Sequence, residues 1–262
     1  MRGPVLGVIP ARLGATRLPR KPLRPILGTP LLEWVWVRAQ ATDVFDTLVV
    51  ATDSEEVADL CRRLGALVEL TDPEHPSGTD RVAEVALKEG YRSHPVVVNL
   101  QGDEPLVEGD HLQAAVELVT DQGWEAGTCA TPILDPAAMV DSDIVKVARA
   151  QDGRALYFSR APIPWKRDGP VTESDVRGAP FLRHLGLYAF RRETLIRWAE
   201  LEASPLELLE RLEQLRLLEA GTSMGVAVVD AAAPGVDTPE DLARMEAELT
   251  NRGLAPPTSK GP

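Results

Sequence analysis

Residues 5–24 read VLGVIPARLGATRLPRKPLR, an apolar run that passes directly into a loop rich in cations. The run from Val5 to Ala11 is typical of a buried strand. The loop from Arg12 to Pro22 has neither the Walker spacing nor the G-x-G-x-x-G turn. Its small residues and arginines would let backbone N–H groups and guanidinium groups approach phosphate oxygens. An ordinary turn is the alternative interpretation.

Strand-like runs alternate with helical patterns over the first 125 residues. The further predicted strands are Thr47 to Thr52, Leu67 to Leu70 and Pro95 to Gln101. The predicted helices are Pro30 to Ala41, Glu55 to Leu64 after a cap at Asp53 or Ser54, and one that starts at Thr79 or Asp80. This alternation predicts parallel strands with crossover helices, and therefore an α/β protein.

The pattern changes in the second half of the chain. Its predicted strands are Thr128 to Ile133, Ile144 to Ala150, Ala155 to Ser159, Leu185 to Phe190 and Met224 to Val229. The strands Ile144 to Ala150 and Ala155 to Ser159 are predicted to form a hairpin around the turn at residues 151–153. The polar stretch from Lys166 to Pro180 predicts a mobile loop.

Two helices are predicted near the C-terminus. Pro205 to Ala220 predicts one helix whose leucines lie nearly all round, so a second subunit is one candidate for covering it. Thr238 is predicted to cap the last helix, with Pro239 at its first position. We therefore expect one domain over residues 1–250 with a smaller lobe at about 133–222, and a disordered tail at 251–262.

Composition narrows the class of protein. The 262 residues are 44% hydrophobic and carry a net charge of −12, which argues against a general nucleic-acid or membrane-surface binder. The longest apolar runs are strand-sized, and two cysteines without metal or disulfide spacing favour a reduced, cytoplasmic setting. The first 32 residues hold six basic residues and no acid. This segment is predicted to bind a local anion such as a polyphosphate, with a solvated basic loop as the alternative.

Two acidic loops are candidates for a metal site, because ligands of an open parallel sheet bind beyond the carboxyl ends of its strands. Asp103 and Glu104 follow the predicted strand at 95–101 and could hold Mg²⁺, or else cap the next helix. Asp237 precedes the last helix and could add a second carboxylate. Taken alone, Asp237 is better explained as part of a helix start.

Weaker candidates lie elsewhere in the chain. The segment from His75 to Arg81 could lie near a nucleotide base or simply form a loop and a helix cap. Arg160 could bind an anionic substrate. A lone histidine such as His184 is more often structural than catalytic, and Glu213 and Gln214 on a leucine-rich helix would ordinarily be solvated.

Taken together, these motifs resemble the CMP-Kdo synthetase (3-deoxy-manno-octulosonate cytidylyltransferase) family. The matching segments are IPARLGATRLPRKPL from Ile9, VVATD from Val49, HPSGTDRVAE from His75, VVNLQGDEP from Val97, ALYFSRAPIPW from Ala155, FLRHLGLYAF from Phe181, SPLELLERLEQLRLLEAG from Ser204 and GVDTPEDL from Gly235. Position 20 is arginine where the family usually has glycine.

The resemblance implies a Rossmann-like nucleotidyltransferase fold, with a mixed, mostly parallel sheet, helices on both faces and a smaller inserted lobe for sugar binding and homodimer formation. It implies transfer of CMP from CTP to 3-deoxy-D-manno-octulosonate (Kdo), with release of diphosphate, Mg²⁺ as cofactor, and a place in lipopolysaccharide biosynthesis. The alternatives are a cytidylyltransferase for another acidic sugar, of the 8-amino-Kdo or sialic acid type, and a non-catalytic nucleotide-binding protein on the same fold.

Roles for individual residues follow from the same resemblance. The implied catalytic residues are Arg12, Lys21, Asp103 and Asp237, the last two as metal ligands. The implied CTP-binding residues are Arg12, Arg17, Lys21, Ser77, Gly78, Arg81 and Gln101. The implied sugar-binding residues are Arg160, which would pair with the carboxylate, and His184, Tyr188, Glu213 and Gln214, which would bind hydroxyls.

Overall fold

The computed structural model describes residues 3–14, 17–178, 181–230 and 232–257, which form eleven strands and ten α-helices. The strands are β1 (Val5–Pro10), β2 (Pro25–Ile26), β3 (Thr29–Pro30), β4 (Thr47–Thr52), β5 (Leu67–Leu70), β6 (Val96–Asn99), β7 (Ala126–Pro132), β8 (Lys146–Arg149), β9 (Ala155–Ser159), β10 (Leu182–Arg191) and β11 (Met224–Val228). The helices are α1 (Leu31–Gln40), α2 (Glu55–Leu64), α3 (Gly78–Leu87), α4 (Gly109–Thr120), α5 (Ala137–Val140), α6 (Glu173–Gly178), α7 (Arg192–Glu200), α8 (Pro205–Glu210), α9 (Gln214–Glu219) and α10 (Pro239–Asn251).

The chain divides into two compact units. The first unit contains residues 3–109 and the segment from Ala232 onward, and the second begins at Asp110 and contains the residues between. The smaller lobe predicted at 133–222 lies within the second unit, which begins earlier than expected. The difference arises because β7, ahead of residue 133, pairs with both β10 and β11 and therefore belongs with them.

The first unit contains a four-stranded parallel sheet in the order β6-β1-β4-β5. The β1 residues Val5, Leu6, Val8 and Ile9 are fully buried, as expected for a strand in the middle of a parallel sheet. The carboxyl ends of parallel strands lie at one edge, so the loops after β1 and β6 leave the sheet at the same edge. The four strands predicted over the first 125 residues are confirmed as β1, β4, β5 and β6.

Helix starts in the first unit follow local capping chemistry. Ser54 and Thr238 cap α2 and α10 as predicted, and each side chain accepts a hydrogen bond from a backbone N–H of the first turn. The cap of α3 is Ser77, slightly ahead of the predicted start at Thr79 or Asp80. The helix predicted from Pro30 begins at Leu31, with Pro30 in the cap position.

Helix α10 packs against an apolar cluster of the first unit. Its Met245 and Leu249 join Leu18 and Trp34 in that cluster, and Leu254 packs against it. The tail predicted to be disordered begins at residue 251, but Asn251 is helical in the structure. Apolar burial also holds residue 254 in place. The end of that predicted tail, residues 258–262, lies outside the described residues.

The second unit is built on a mixed set of strands. β7 pairs antiparallel with β10 and parallel with β11, and β8 pairs antiparallel with β10 and β9. The hairpin predicted around residues 151–153 is confirmed as the β8–β9 pair. None of the helices in the described part of the chain has the length and apolar character that a membrane crossing requires.

Two predictions for the second unit are wrong. Residues 166–178 of the stretch predicted as a mobile loop contain α6, which is held by an ion pair of 2.6 Å between Lys166 Nζ and Asp175 Oδ2 and by burial of Val176. Residues 179 and 180 of that stretch lie outside the described residues. The helix predicted over Pro205 to Ala220 is two short helices, α8 and α9.

The chain breaks between α8 and α9 at Arg211, which adopts a left-handed conformation with φ of 54°. Beyond the break, the guanidinium of Arg216 donates two hydrogen bonds to the Glu207 carboxylate, at 2.6 and 2.7 Å. The same guanidinium lies over the ring of Trp198. This buried ion pair joins residues nine positions apart and holds α9 against α8, a contact that the leucine periodicity does not indicate.

Candidate active site

Three loops of the first unit meet beyond the end of β1. A Cβ at Gly102 would lie 2.8 Å from the carbonyl oxygen of Pro10, so only glycine allows this close approach. Gly78, at the start of α3, lies beside the Pro10 ring. The backbone N–H of Val236 donates to the Asp103 carbonyl oxygen at 2.9 Å, which brings the segment before α10 to the same place.

Lys21 joins the two carboxylates at this junction. Its ammonium donates to Asp237 Oδ1 at 2.7 Å and also to the carboxylate of Asp103. The Lys21 side chain is only 15% exposed. Burial lowers the pKa of Lys21, but the two carboxylates raise it by more, and the net pKa is above its ordinary value. The group is therefore a fixed cation bound by two acids that lie 134 positions apart in the sequence.

Neither acid is used as a cap of the helix that follows it. Helix α4 begins at Gly109, so the alternative in which Asp103 and Glu104 cap the next helix is wrong. Helix α10 is capped by Thr238, which leaves the Asp237 carboxylate to bind Lys21 and, at 3.0 Å, Arg17.

A backbone hydrogen bond joins two parts of the cation-rich loop, in which residues 15 and 16 lie outside the described residues. The N–H of Arg20 donates to the Leu13 carbonyl at 3.2 Å, and the side chains of Arg12 and Arg17 are exposed. Arg20 has φ of 61° and ψ of 30°, the left-handed region that favours glycine. Its guanidinium forms an exposed ion pair with Glu56. Arginine at this position thus occupies a backbone region that costs it about 1 kcal/mol relative to glycine.

The two carboxylates are of the kind that would suit a magnesium ion bound together with phosphate. Among the described residues, no group of three or more His, Cys, Asp or Glu side chains is arranged to hold a metal ion. Asp103 and Asp237 nevertheless offer two carboxylates around one position that is already suited to a cation, since both bind the Lys21 ammonium. Mg²⁺ is commonly bound through one or two carboxylates, with water and substrate phosphate completing its octahedron.

The segment at the start of α3 is held by buried polar contacts. The hydroxyl of Ser77 donates to Asp80 Oδ2 at 2.7 Å and accepts from the Asp80 N–H. Arg81, 2% exposed, donates to Asp53 Oδ2 at 3.1 Å and to the hydroxyl of Thr71. Its guanidinium thus ties α3 to residues that follow β4 and β5. Gln101 is half-buried, directly before Gly102.

In the second unit, His184 and Tyr188 belong to an aromatic cluster on β9 and β10. The His184 ring lies 4.8 Å from that of Phe158 and 5.3 Å from that of Tyr188, measured between centroids. Its Nε2 is 2.9 Å from the Thr128 hydroxyl. Burial lowers the pKa of His184 to about 3, so the imidazole is neutral at physiological pH.

The other sugar-site candidates lie around α8 and α9. The guanidinium of Arg160 donates from Nε to the Glu210 carbonyl at 2.9 Å and from Nη1 to the Ser142 carbonyl at 2.8 Å. Glu213 occupies the N-cap position of α9. Gln214 is buried, and its side-chain nitrogen has no hydrogen-bond partner among the described residues. An unpaired buried donor of this kind suits a ligand hydroxyl or carboxylate.

Sequence reasoning missed several residues that hold these candidates in place. Glu210 and Lys146 contact Arg160, Asp53 binds Arg81, and Glu56 binds Arg20. Lys146 carried a local signal, because it interrupts the apolar run of a predicted strand, while Asp53 and Glu210 lie in segments that match the family.

The fold is an α/β fold of the nucleotide-binding type, and comparison of the chain with known proteins identifies its family. The model of the cytidylyltransferase family matches residues 6–224. The chain is 49% identical over 241 residues to 3-deoxy-manno-octulosonate cytidylyltransferase of Gemmatimonas aurantiaca, covering 92% of each chain. It is 44% identical over 253 residues to the enzyme of that name from Syntrophotalea carbinolica, covering 95% of this chain and 99% of that one. The protein belongs to the 3-deoxy-manno-octulosonate cytidylyltransferase, or CMP-Kdo synthetase, family.

Solved structures agree with this assignment. A CMP:2-keto-3-deoxy-manno-octonic acid synthetase complexed with CTP matches with a TM-score of 0.86 and 36% identity, covering 95% of this chain and 99% of that one. A 4-diphosphocytidyl-2C-methyl-D-erythritol synthase from Anaerococcus prevotii, at 14% identity and a TM-score of 0.61, shares the fold. The predicted α/β nucleotidyltransferase fold and the family resemblance are confirmed.

Proposed function

We propose that this protein activates Kdo by transfer of CMP from CTP, giving CMP-Kdo and diphosphate. The observation that carries the proposal is the Lys21, Asp103 and Asp237 cluster at the carboxyl edge of a parallel sheet, in a chain of this family. The reaction is attack by the anomeric hydroxyl of the sugar on the α-phosphorus of CTP. Such a displacement depends on positioning and on charge stabilisation, and both can come from fixed cations and carboxylates.

The first unit would bind the nucleotide. Lys21 is a fixed cation, and it would neutralise charge on the triphosphate and on the departing diphosphate together with the exposed Arg12 and Arg17. Asp103 and Asp237 would hold Mg²⁺, which when bound polarises phosphate oxygens and lowers the pKa of an attacking hydroxyl.

Cytosine recognition is assigned to the segment around α3 and to the residue before Gly102. Ser77, Gly78 and Gln101 would surround the base, because α3 and the Gly102 loop both approach Pro10. The family resemblance implies that Arg81 contacts CTP directly. Its buried guanidinium on Asp53 supports a role in fixing the start of α3.

The second unit would bind the sugar. Arg160 would pair with the carboxylate, while His184, Tyr188, Glu213 and Gln214 would bind hydroxyls. The neutral imidazole of His184 can exchange hydrogen bonds with hydroxyls without adding charge. The unpartnered amide nitrogen of Gln214 supports its assignment.

Release of diphosphate from CTP is the direct test. We expect release with Kdo in the presence of Mg²⁺ and its loss when the metal is chelated. Faster release with 8-amino-Kdo or a sialic acid would identify another sugar as the substrate. Absence of release with every acidic sugar would favour the non-catalytic alternative.

We further infer that the protein is a homodimer in the cytoplasm that serves lipopolysaccharide biosynthesis. Two large apolar side chains of α8, Leu208 and Leu209, are 66% and 80% exposed, which suits a surface covered by a second copy. Light scattering should give twice the chain mass. Leu209→Glu should then shift the protein toward the monomer, whereas Leu67→Glu, at an exposed leucine of the first unit, should not.

A further inference from the structure

Lys146 is a fully buried lysine at the start of β8. Its ammonium donates to the carbonyl oxygens of Asp141 at 2.7 Å, Ile144 at 2.6 Å and Arg160 at 2.5 Å. A buried ammonium is costly unless its three donors are satisfied, and here backbone oxygens satisfy all three. Lys146 therefore fixes the main chain at Arg160.

Glu210, the last residue of α8, contacts the same arginine from another side. Its carboxylate accepts from the backbone N–H of Arg160 at 3.0 Å and from the hydroxyl of Ser159 at 2.6 Å. The Glu210 carbonyl accepts from Arg160 Nε at 2.9 Å. One residue thus holds both the main chain and the side chain of Arg160.

These contacts orient the guanidinium of Arg160 without cancelling its charge. The acceptors of its Nε and Nη1 are neutral carbonyl oxygens, those of Glu210 and Ser142. The Glu210 carboxylate accepts hydrogen bonds from the Arg160 backbone N–H and the Ser159 hydroxyl. A guanidinium fixed in this way keeps its charge for an anionic ligand, and the entropy cost of ordering it has already been met before the ligand binds.

We propose that Lys146 and Glu210 are positioning residues that preset Arg160 to receive the carboxylate of the sugar substrate. The proposal rests on the assignment of Arg160 under the proposed function. It adds that sugar affinity depends on two residues that act only through the arginine.

The test is steady-state diphosphate release with Kdo and CTP varied separately, on wild type, Glu210→Gln, Arg160→Ala and the double variant. Glutamine keeps the shape of Glu210 but removes its charge, so the charge-assisted bonds to the Ser159 hydroxyl and the Arg160 N–H become weaker neutral ones. We expect Glu210→Gln to raise the KM for Kdo about tenfold, with kcat and the KM for CTP nearly unchanged. Glu202→Gln removes an exposed charge from the same unit and should match wild type.

The double variant separates positioning from a general effect on folding. If Glu210 acts through Arg160, Glu210→Gln should add almost nothing once Arg160→Ala is present. Additive losses, or equal losses for both substrates, would overturn the positioning role. An unchanged KM for Kdo in Glu210→Gln, together with a raised KM in Arg160→Ala, would also overturn the positioning role. The proposed function would then stand. No turnover of Kdo by wild type would overturn both.

Lys146→Met is the more severe variant, because it removes the buried ammonium that donates to three carbonyl oxygens. Where it folds, as judged by circular dichroism, we expect the same selective rise in the KM for Kdo. A folded Lys146→Met protein with the wild-type KM for Kdo would remove Lys146 from the proposal. If Lys146→Met does not fold, Glu210→Gln carries the test.

Discussion

Two cationic clusters in this protein are held in opposite ways. In the first unit, Lys21 and Arg17 are bound by the side-chain carboxylates of Asp103 and Asp237, so two cations meet two anions. In the second unit, Arg160 and Lys146 are bound mainly by neutral backbone carbonyls. The first arrangement suits a ligand that brings both phosphate and a metal ion, because charges can be redistributed among partners. The second suits a single anionic group that meets a charge fixed in advance.

The largest effect is expected at the carboxylate cluster. Asp103→Asn keeps the size of the side chain but removes the charge shared with Lys21, so we expect turnover to fall about 10²- to 10³-fold with the fold retained. Diphosphate release at saturating Mg²⁺ and thermal unfolding would be measured together. Asp121→Asn, at an exposed position, is the matched control. Near-normal turnover would remove Asp103 from the metal site.

A smaller and more selective effect is expected at the backbone-held cluster. Arg160→Ala should raise the KM for Kdo about 10- to 100-fold, the value of a charge-assisted pair, while CTP affinity is kept. Isothermal titration with CTP and steady-state kinetics with Kdo would separate the two. An equal fall in CTP affinity would show that the assignment to the sugar carboxylate is wrong.

The pH dependence of stability offers a further test of the second unit, because this unit contains a half-buried histidine that is neutral at physiological pH. The pKa of His184 is about 3 in the folded protein and near 6.5 when unfolded, so the unfolded state binds more protons between these values. The free energy of unfolding should therefore decrease as pH falls from about 6.5, by about 1.4 kcal/mol per pH unit from this group. Urea titrations of wild type and His184→Gln would check it, and equal slopes would contradict it.

The smallest expected effect concerns Arg20 in the cation-rich loop. Its left-handed backbone favours glycine over other residues, so Arg20→Gly should be more stable than Arg20→Ala by about 1 kcal/mol. Both variants lose the exposed ion pair with Glu56, so the difference isolates the backbone. Chemical denaturation would measure it. A more stable alanine variant would show that this backbone changes when the arginine is removed.

The sequence predicted the regular elements of the first unit closely because local signals agree there. The limits of β4, α2 and β5 match the prediction, since apolar runs and a serine cap coincide there. Prediction failed where side-chain contacts, which residue periodicity does not report, accompany the structure. The ion pair of Glu207 with Arg216 spans the break at Arg211, and Val176 of α6 is buried.

By itself, the sequence determined the α/β class, the family and the residues that could carry the chemistry, because strand periodicity, cap residues and motifs are properties of neighbours along the chain. Only the tertiary structure decided that Asp103 and Asp237 bind one lysine, that Arg81 is buried on Asp53, and that Lys146 and Glu210 hold Arg160. These contacts join residues that lie from 14 to 216 positions apart. Their geometry depends on how strands and loops pack, and no local pattern encodes it.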